Sequence, residues 1–345
     1  MATEIPALPC NLETCRQHRT GRCDYDANKF MLESENTSMR FNVLATALVL
    51  GLAAAGSAQA ERLTDQPLVD AAWLNSQLGK PDLVIIDIRD TPKDGTAPYA
   101  AGHVPGAVEA QYAAYGWRAK IDGAPGLLPK LEDISAKIAA LGVSDDTQVV
   151  IVPAGSDVAE FGGATRVYWT FKVLGHDNVT VLDGGYKAWA DAGQAVSTDV
   201  VTPVAGSFTA KPRPELRAEV AEVEEAIASD TNLIDARSVA QFIGKEKTNT
   251  VQSLGSIPTA VNLNFDKFWD KDAGKFASKA SIDALVQQAG VTDTDGLITF
   301  CNTGHLASIA WFGLSEVAGL KGVRLYDGSM SQWTLDPARP VVVQN

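Results

Sequence analysis

The sequence predicts an α/β protein made of two copies of one small, doubly wound parallel-sheet domain flanked by helices. Three observations carry this. Runs such as residues 149–152 and 179–182 are apolar on both faces and too short for helices, as buried parallel strands are. Stretches with helical periodicity, residues 134–141 and 281–289, alternate with such runs. The chain also repeats itself. Leu83-Val84-Ile85-Ile86-Asp87-Ile88-Arg89 returns as Asn232-Leu233-Ile234-Asp235-Ala236-Arg237, and Gly102-His103-Val104-Pro105-Gly106-Ala107-Val108 returns as Gly255-Ser256-Ile257-Pro258-Thr259-Ala260-Val261. Val181-Leu182-Asp183-Gly184-Gly185-Tyr186-Lys187-Ala188-Trp189 returns as Leu325-Tyr326-Asp327-Gly328-Ser329-Met330-Ser331-Gln332-Trp333. Landmarks recurring in one order mark a duplicated domain.

Along the chain, residues 1–38 read as a start-site extension, because a leader begins only at Met39. From there a basic start, an apolar run over residues 41–55 and the small-residue end Gly56-Ser57-Ala58-Gln59-Ala60 have the shape of a signal peptide (residues 39–60) cut after Ala60. The rival, an uncleaved span, would need the whole run to Ala60. A periplasmic or secreted protein, without stable membrane anchoring once cleaved, is expected. Cys10, Cys15, His18 and Cys23 precede the cleavage point, and their spacings match no standard zinc finger. Residues 61–202 form the first domain and residues 215–345 the second. Pro203, Gly206, Pro212 and Pro214 mark residues 203–214 as a linker with little helix or strand. A chain of 345 residues, 46% apolar, is long enough for two cores. With 29 basic against 42 acidic residues and a net charge of −13, it has no surplus to neutralise a phosphate backbone, so nucleic acid is excluded as a partner.

Cys301 is the one cysteine after the leader, so it has no intramolecular disulfide partner. It follows the apolar run Gly296-Leu297-Ile298-Thr299-Phe300 and precedes Asn302-Thr303-Gly304-His305-Leu306-Ala307, with Ser308 in the cap region of a helix that carries Ile309 and Phe312. At a strand–loop–helix junction, loop amides and the positive helix end favour a thiolate. Such surroundings lower a cysteine from about 8.5 toward roughly 4 to 7.5. An ionised, reachable nucleophile is the functional expectation; a small buried hydrophobe is the structural alternative.

These motifs resemble the rhodanese family of sulfurtransferases in its tandem-domain form. The resemblance spans about residues 65–345. It rests on Ile86-Asp87-Ile88-Arg89 and Gly102-His103-Val104-Pro105-Gly106-Ala107-Val108 in the first copy, and on Cys301-Asn302-Thr303-Gly304 and Leu325-Tyr326-Asp327-Gly328-Ser329 in the second. It implies that the first copy, in which Pro153 follows the strand and residues 61–300 hold no cysteine, is a scaffold or a wall of the cleft. It also implies that Cys301 takes a sulfane sulfur from a donor such as thiosulfate or 3-mercaptopyruvate, holds it as a persulfide and passes it to cyanide or a thiol. No metal or organic cofactor is needed. Asn302, Thr303, Gly304, His305, Leu306 and Ala307 would bind substrate through loop amides. Asp235 and Arg237, like Asp87 and Arg89, would pair or anchor neighbouring loops.

The sequence departs from the family where members using thiosulfate carry basic side chains. Asn302 and Thr303 stand in the loop, and Ser238-Val239-Ala240-Gln241-Phe242 after the Asp-x-Arg strand holds no cation. A dianionic donor would lose charge-assisted hydrogen bonds of about 1.5–3 kcal/mol each. His305 is the only loop residue able to restore positive charge, in a pH-dependent way. Ala307 occupies the arginine position of a Cys-x5-Arg phosphatase loop, which argues against that chemistry. A competing class is a non-enzymatic persulfide carrier or partner-binding module. Asp183 and Asp327, before glycines, are expected to bond their own turns, and His103 to be a turn residue. Trp189 and Trp333 should close the two cores.

Overall fold

The computed structural model describes residues 62–229, 231–291 and 296–344; the extension 1–38, the leader 39–60 and its cleavage point lie outside them. The buried apolar runs are the strands they were expected to be. β1 (Leu68–Val69), β2 (Leu83–Asp87), β3 (Val108–Glu109), β6 (Gln148–Val152) and β7 (Val179–Leu182) form a parallel sheet in the order β1-β7-β6-β2-β3, while β4 (Ala119–Ile121) and β5 (Ala124–Leu127) pair as a hairpin. In the second half β8 (Asn232–Asp235), β9 (Val261–Asn262), β12 (Leu297–Phe300) and β13 (Val323–Leu325) form a parallel sheet in the order β13-β12-β8-β9, with a small hairpin of β10 (Trp269–Asp270) and β11 (Lys275–Phe276). The order β7-β6-β2-β3 thus recurs as β13-β12-β8-β9, which is the duplication written in hydrogen bonds. Where the first sheet has β1, the second has a single parallel bridge between Arg217 and Leu325.

Corresponding side chains do corresponding jobs. Arg89 donates to the Asp87 carboxylate at 2.9 and 2.6 Å and to the Gly102 carbonyl at 2.7 Å. Arg237 does the same with Asp235, at 2.9 and 2.5 Å, and with the Gly255 carbonyl at 2.8 Å. Each pair ties the end of its central strand to the Gly-x-x-Pro turn. Trp189 and Trp333 are fully buried, their indole N–H groups donating to Ala195 and Pro340 carbonyls. His103 is buried in its turn, stacked on Tyr99 at 3.8 Å and bonded to the Tyr99 carbonyl through Nδ1. Residues 198–213 contain neither helix nor strand. They are strapped to the first copy by Gly206 N–H to Ala139, Lys211 N–H to Leu174 and Arg213 N–H to Val173.

One apolar cluster spans both copies, and each copy keeps a smaller cluster of its own, around Trp189 in the first and Trp333 in the second. In the helix Val158–Val173, 13 of 16 residues are buried, so it has no solvent face and packs between layers. Phe161, Val167, Trp169 and Phe171 from it join Ile309, Trp311, Phe312 and Leu314 of the second half in a single apolar cluster. Asp183 was expected to bond its own turn; its carboxylate accepts the Gly184 N–H there and, in addition, the Phe276 N–H of the other copy at 3.0 Å, because the two halves meet at this point. No helix among the described residues is long and apolar enough to cross a membrane.

Candidate active site

Cys301 leaves the carboxyl end of β12, beside Asp235 at the end of β8. Gly304 adopts φ 72°, in the left-handed region where glycine has no Cβ penalty, and so turns the chain directly into the helix His305–Trp311. The helix therefore starts three residues before Ser308, which lies inside it and donates to the His305 carbonyl at 2.7 Å rather than capping it. Ser329 holds the loop from behind. Its hydroxyl accepts the N–H groups of Cys301 (3.0 Å) and Gly304 (3.1 Å), donates to the Tyr326 carbonyl and lies 4.0 Å from the sulfur. Ser329 has φ 50°, a conformation costly for a side-chain-bearing residue, at the place where the first copy has Gly185. Among the described residues no acceptor takes the N–H groups of Asn302, Thr303, His305, Leu306 or Ala307. The loop thus presents five backbone N–H groups without a partner among the described residues.

The sulfur is less open than the sequence suggests. Cys301 is 1% exposed and belongs to the apolar cluster that spans both copies. Thr303 and His305 form the outer wall instead, and both line a cleft of about 820 Å³ with Arg89, Tyr112, Arg118 and Tyr186. Tyr112, from the first domain, donates to His305 Nδ1 at 2.8 Å. His305 Nε2 lies 2.7 Å from the Ala159 carbonyl, which can only accept, so Nε2 carries the proton and Nδ1 takes the Tyr112 hydroxyl. Burial, and next the Arg118 guanidinium, pushes His305 down to about 4. The cation expected from His305 is therefore absent at neutral pH: the ring is turned inward against the first domain and desolvated.

Positive charge reaches the loop from elsewhere. Arg166, fully buried on the helix Val158–Val173, donates to the Gly304 carbonyl at 3.3 Å and pairs with Asp327 at 3.4 Å. Burial pulls its guanidinium below its ordinary range, and Asp327 opposes that. The same Asp327 accepts from Arg217 at 3.0 Å and from the Leu128 N–H at 2.7 Å. This corrects the expectation of a local turn carboxylate: Asp327 joins Leu128 of the first domain, Arg217 at the start of the second and, through Arg166, the cysteine loop.

Of the six loop residues expected to bind substrate, Thr303 and His305 line the cleft. Gly304 and Ala307 are buried, Leu306 is half-buried, and Asn302 is turned to donate to Gln241 Oε1 at 3.0 Å. Asp235 and Arg237 are support for the neighbouring strand end. Tyr112, Arg118, Arg166 and Ser329 were missed. Only Ser329 had a sequence signal, as a serine where the repeat has glycine.

Fold and loop together define a class: a tandem α/β protein in which one copy carries a cysteine loop and the other walls it in. The rhodanese-like domain matches twice, over residues 70–192 and 219–336, and the chain belongs to that family. It is 31% identical over 274 residues to the "Putative thiosulfate sulfurtransferase" of Mycobacterium leprae, covering 77% of this chain and 94% of that one. A relative of the same name from Synechococcus elongatus is 31% identical over 278 residues, covering 77% and 82%. Among solved structures, SseA from Escherichia coli, described as a 3-mercaptopyruvate sulfotransferase, superposes with a TM-score of 0.67 at 26% identity, over 76% of this chain and 98% of its own. An anaerobic ergothioneine biosynthesis enzyme from Chlorobium limicola superposes with a TM-score of 0.69 at 25% identity, over 81% and 70%.

Proposed function

We propose that this protein, a sulfurtransferase of the rhodanese-like family, carries the transferred sulfur as a persulfide on Cys301. The observation that supports this most is the placement of its one thiol after the leader at the head of a loop with five unpartnered N–H groups. In the first copy Pro153 follows the equivalent strand, and the neighbouring amides of Ala154 and Gly155 are taken by the Glu160 carboxylate at 2.7 and 2.8 Å. The Cys301 thiolate attacks the sulfane sulfur of the donor. With thiosulfate, the S–S bond breaks, sulfite leaves with the bonding electron pair, and Cys301 holds S–S⁻. Cyanide or a thiolate then attacks the outer sulfur and the Cys301 thiolate departs. Loop amides stabilise the anion in both states. The names of the relatives support thiosulfate as one donor. Since Cys301 lies behind Thr303 and His305, each half-reaction includes a displacement of that wall. Export to the periplasm or medium, with Glu61 as the mature N-terminus, belongs to the same reading.

Intact-mass measurement on the chain produced with its leader tests both parts. The mature mass should begin at Glu61. Thiosulfate or 3-mercaptopyruvate should add the mass of one sulfur atom, removed by cyanide through repeated cycles. Cys301→Ser should lose the adduct and all turnover while keeping its fold. Retained transfer in that variant defeats the mechanism, and an adduct discharged only by a specific protein makes the chain a carrier.

A further inference from the structure

The loop around Cys301 contributes no cation of its own, yet the donors considered for it are anions. The charged groups near the loop are mostly committed. Arg166 and Arg217 are engaged with Asp327, Arg89 with Asp87, Lys187 with Asp191, and His305 is neutral at pH 7. Arg118 is different. Among the described residues no carboxylate or carbonyl takes its N–H groups, and it is half-buried, its guanidinium held over the Tyr112 ring at 4.6 Å. The segment that carries it is fixed by the preceding Trp117, fully buried, with its indole N–H on the Ala110 carbonyl at 3.1 Å. An aromatic platform orients a guanidinium while leaving its in-plane donors free.

Two cavities share Arg118, Tyr112, Ala113 and Thr303: the 820 Å³ cleft and a second of about 350 Å³. The smaller one adds Lys120 and Thr250, and no carboxylate lines it. A small polar chamber with two cations, two threonines and no acid, walled by the residue two positions after Cys301, suits an oxyanion. We propose that Arg118, from the first domain, binds the terminal sulfonate or carboxylate of the sulfur donor in this chamber. It thereby supplies across the domain boundary the charge that the cysteine loop lacks. The inference rests on the Cys301 reading for what the bound anion is used for, but the anion site itself does not depend on turnover.

Guanidinium binds sulfonate and carboxylate alike through paired N–H···O bonds, so thiosulfate and 3-mercaptopyruvate share this chemistry. The test separates binding from transfer. Thiosulfate, and separately 3-mercaptopyruvate, is titrated by calorimetry into the Cys301→Ser protein with Arg118 intact, as Arg118→Gln and as Arg118→Lys; kcat and KM are measured for the same Arg118 variants with Cys301 present. Loss of one charge-assisted pair predicts binding weakened about 10- to 100-fold in Arg118→Gln. KM should rise more than kcat falls, the unfolding midpoint should stay unchanged, and Arg118→Lys should recover part of the affinity. A merely structural arginine would move stability and kcat and would not be rescued by lysine. No binding by the Arg118-intact protein, or equal affinity in Arg118→Gln, overturns the proposal. Arg118-dependent binding with no persulfide on Cys301 upholds the anion site and overturns the cysteine reading. Dependence for one of the two donors alone assigns the site to sulfonate or to carboxylate.

Discussion

His305 illustrates how a residue's chemistry is set by what closes over it. An imidazole at the start of a loop helix would titrate near 6.5 in water. Here it is wedged between the Tyr112 hydroxyl and the Ala159 carbonyl, and burial holds it near 4. Two consequences follow by linkage. The rate of sulfur transfer should show no inflection from this ring between about pH 6 and 8. Stability should fall as the pH is lowered: between about 6.5 and 4 the unfolded chain binds a proton that the folded chain does not, so the folded state loses up to about 1.4 kcal/mol per pH unit of acidification across that window. Chemical denaturation at a series of pH values reads this slope. His305→Gln should reduce it, leaving the part due to His176, whose ring is also held below its ordinary value by burial, and an unaltered slope in that variant would assign it to other groups. The residue's identity was legible in the sequence, but its protonation state was not, because the groups that desolvate it come from the other copy.

The hairpin β4–β5 is one of the elements by which the first domain reaches the cysteine loop, beside Tyr112 and the helix Val158–Val173. Gly126 in β5 adopts φ 90° and comes so close to Thr303 that a Cβ there would stand 2.4 Å from the Thr303 carbonyl oxygen. Backbone has nowhere to go in that contact, so Gly126→Ala should push the loop or the hairpin away. A loss of about 1–3 kcal/mol is expected from the clash and the left-handed conformation together. Faster alkylation of Cys301 should accompany it as the wall loosens, and an alkylation rate identical to that of the parent protein would show that the hairpin does not control access. The strands β6, β7 and β12 and the helices around residues 134–141 and 281–289 were readable, since apolar runs, their length and helical periodicity suffice for them; the central helix Val158–Val173 and the two-residue strands were not. The short hairpin was not: Ala119 to Leu127 contains Lys120, Pro125 and two glycines, and owes its form to the loop it covers.

At the scale of the molecule, the two copies are held by a buried charge cluster as well as by the shared apolar core. Asp327, 1% exposed, compensates Arg166 and Arg217 and accepts the Leu128 N–H. Asp327→Ala would leave a fully buried guanidinium without its counter-charge, for which about 3–5 kcal/mol of destabilisation is the usual cost. Urea unfolding should show this as a shift of one cooperative transition that both halves share. Two separate transitions, or a shift under about 1 kcal/mol as for a surface pair, would mean that the halves are not coupled through this group.

The sequence alone determined the duplicated parallel sheets, the Asp-x-Arg strand ends, the two core tryptophans and the place of Cys301 at the head of a loop. Each is a local or repeated pattern, fixed by apolar periodicity and by residues near one another in the chain. Tertiary structure decided how the loop is completed: the neutral His305, the buried cysteine, the Asp327 junction and Arg118 at the cleft all depend on the other copy. Those contacts join residues far apart in sequence, where side-chain identity alone carries no record of the partner that desolvates, pairs with or covers them.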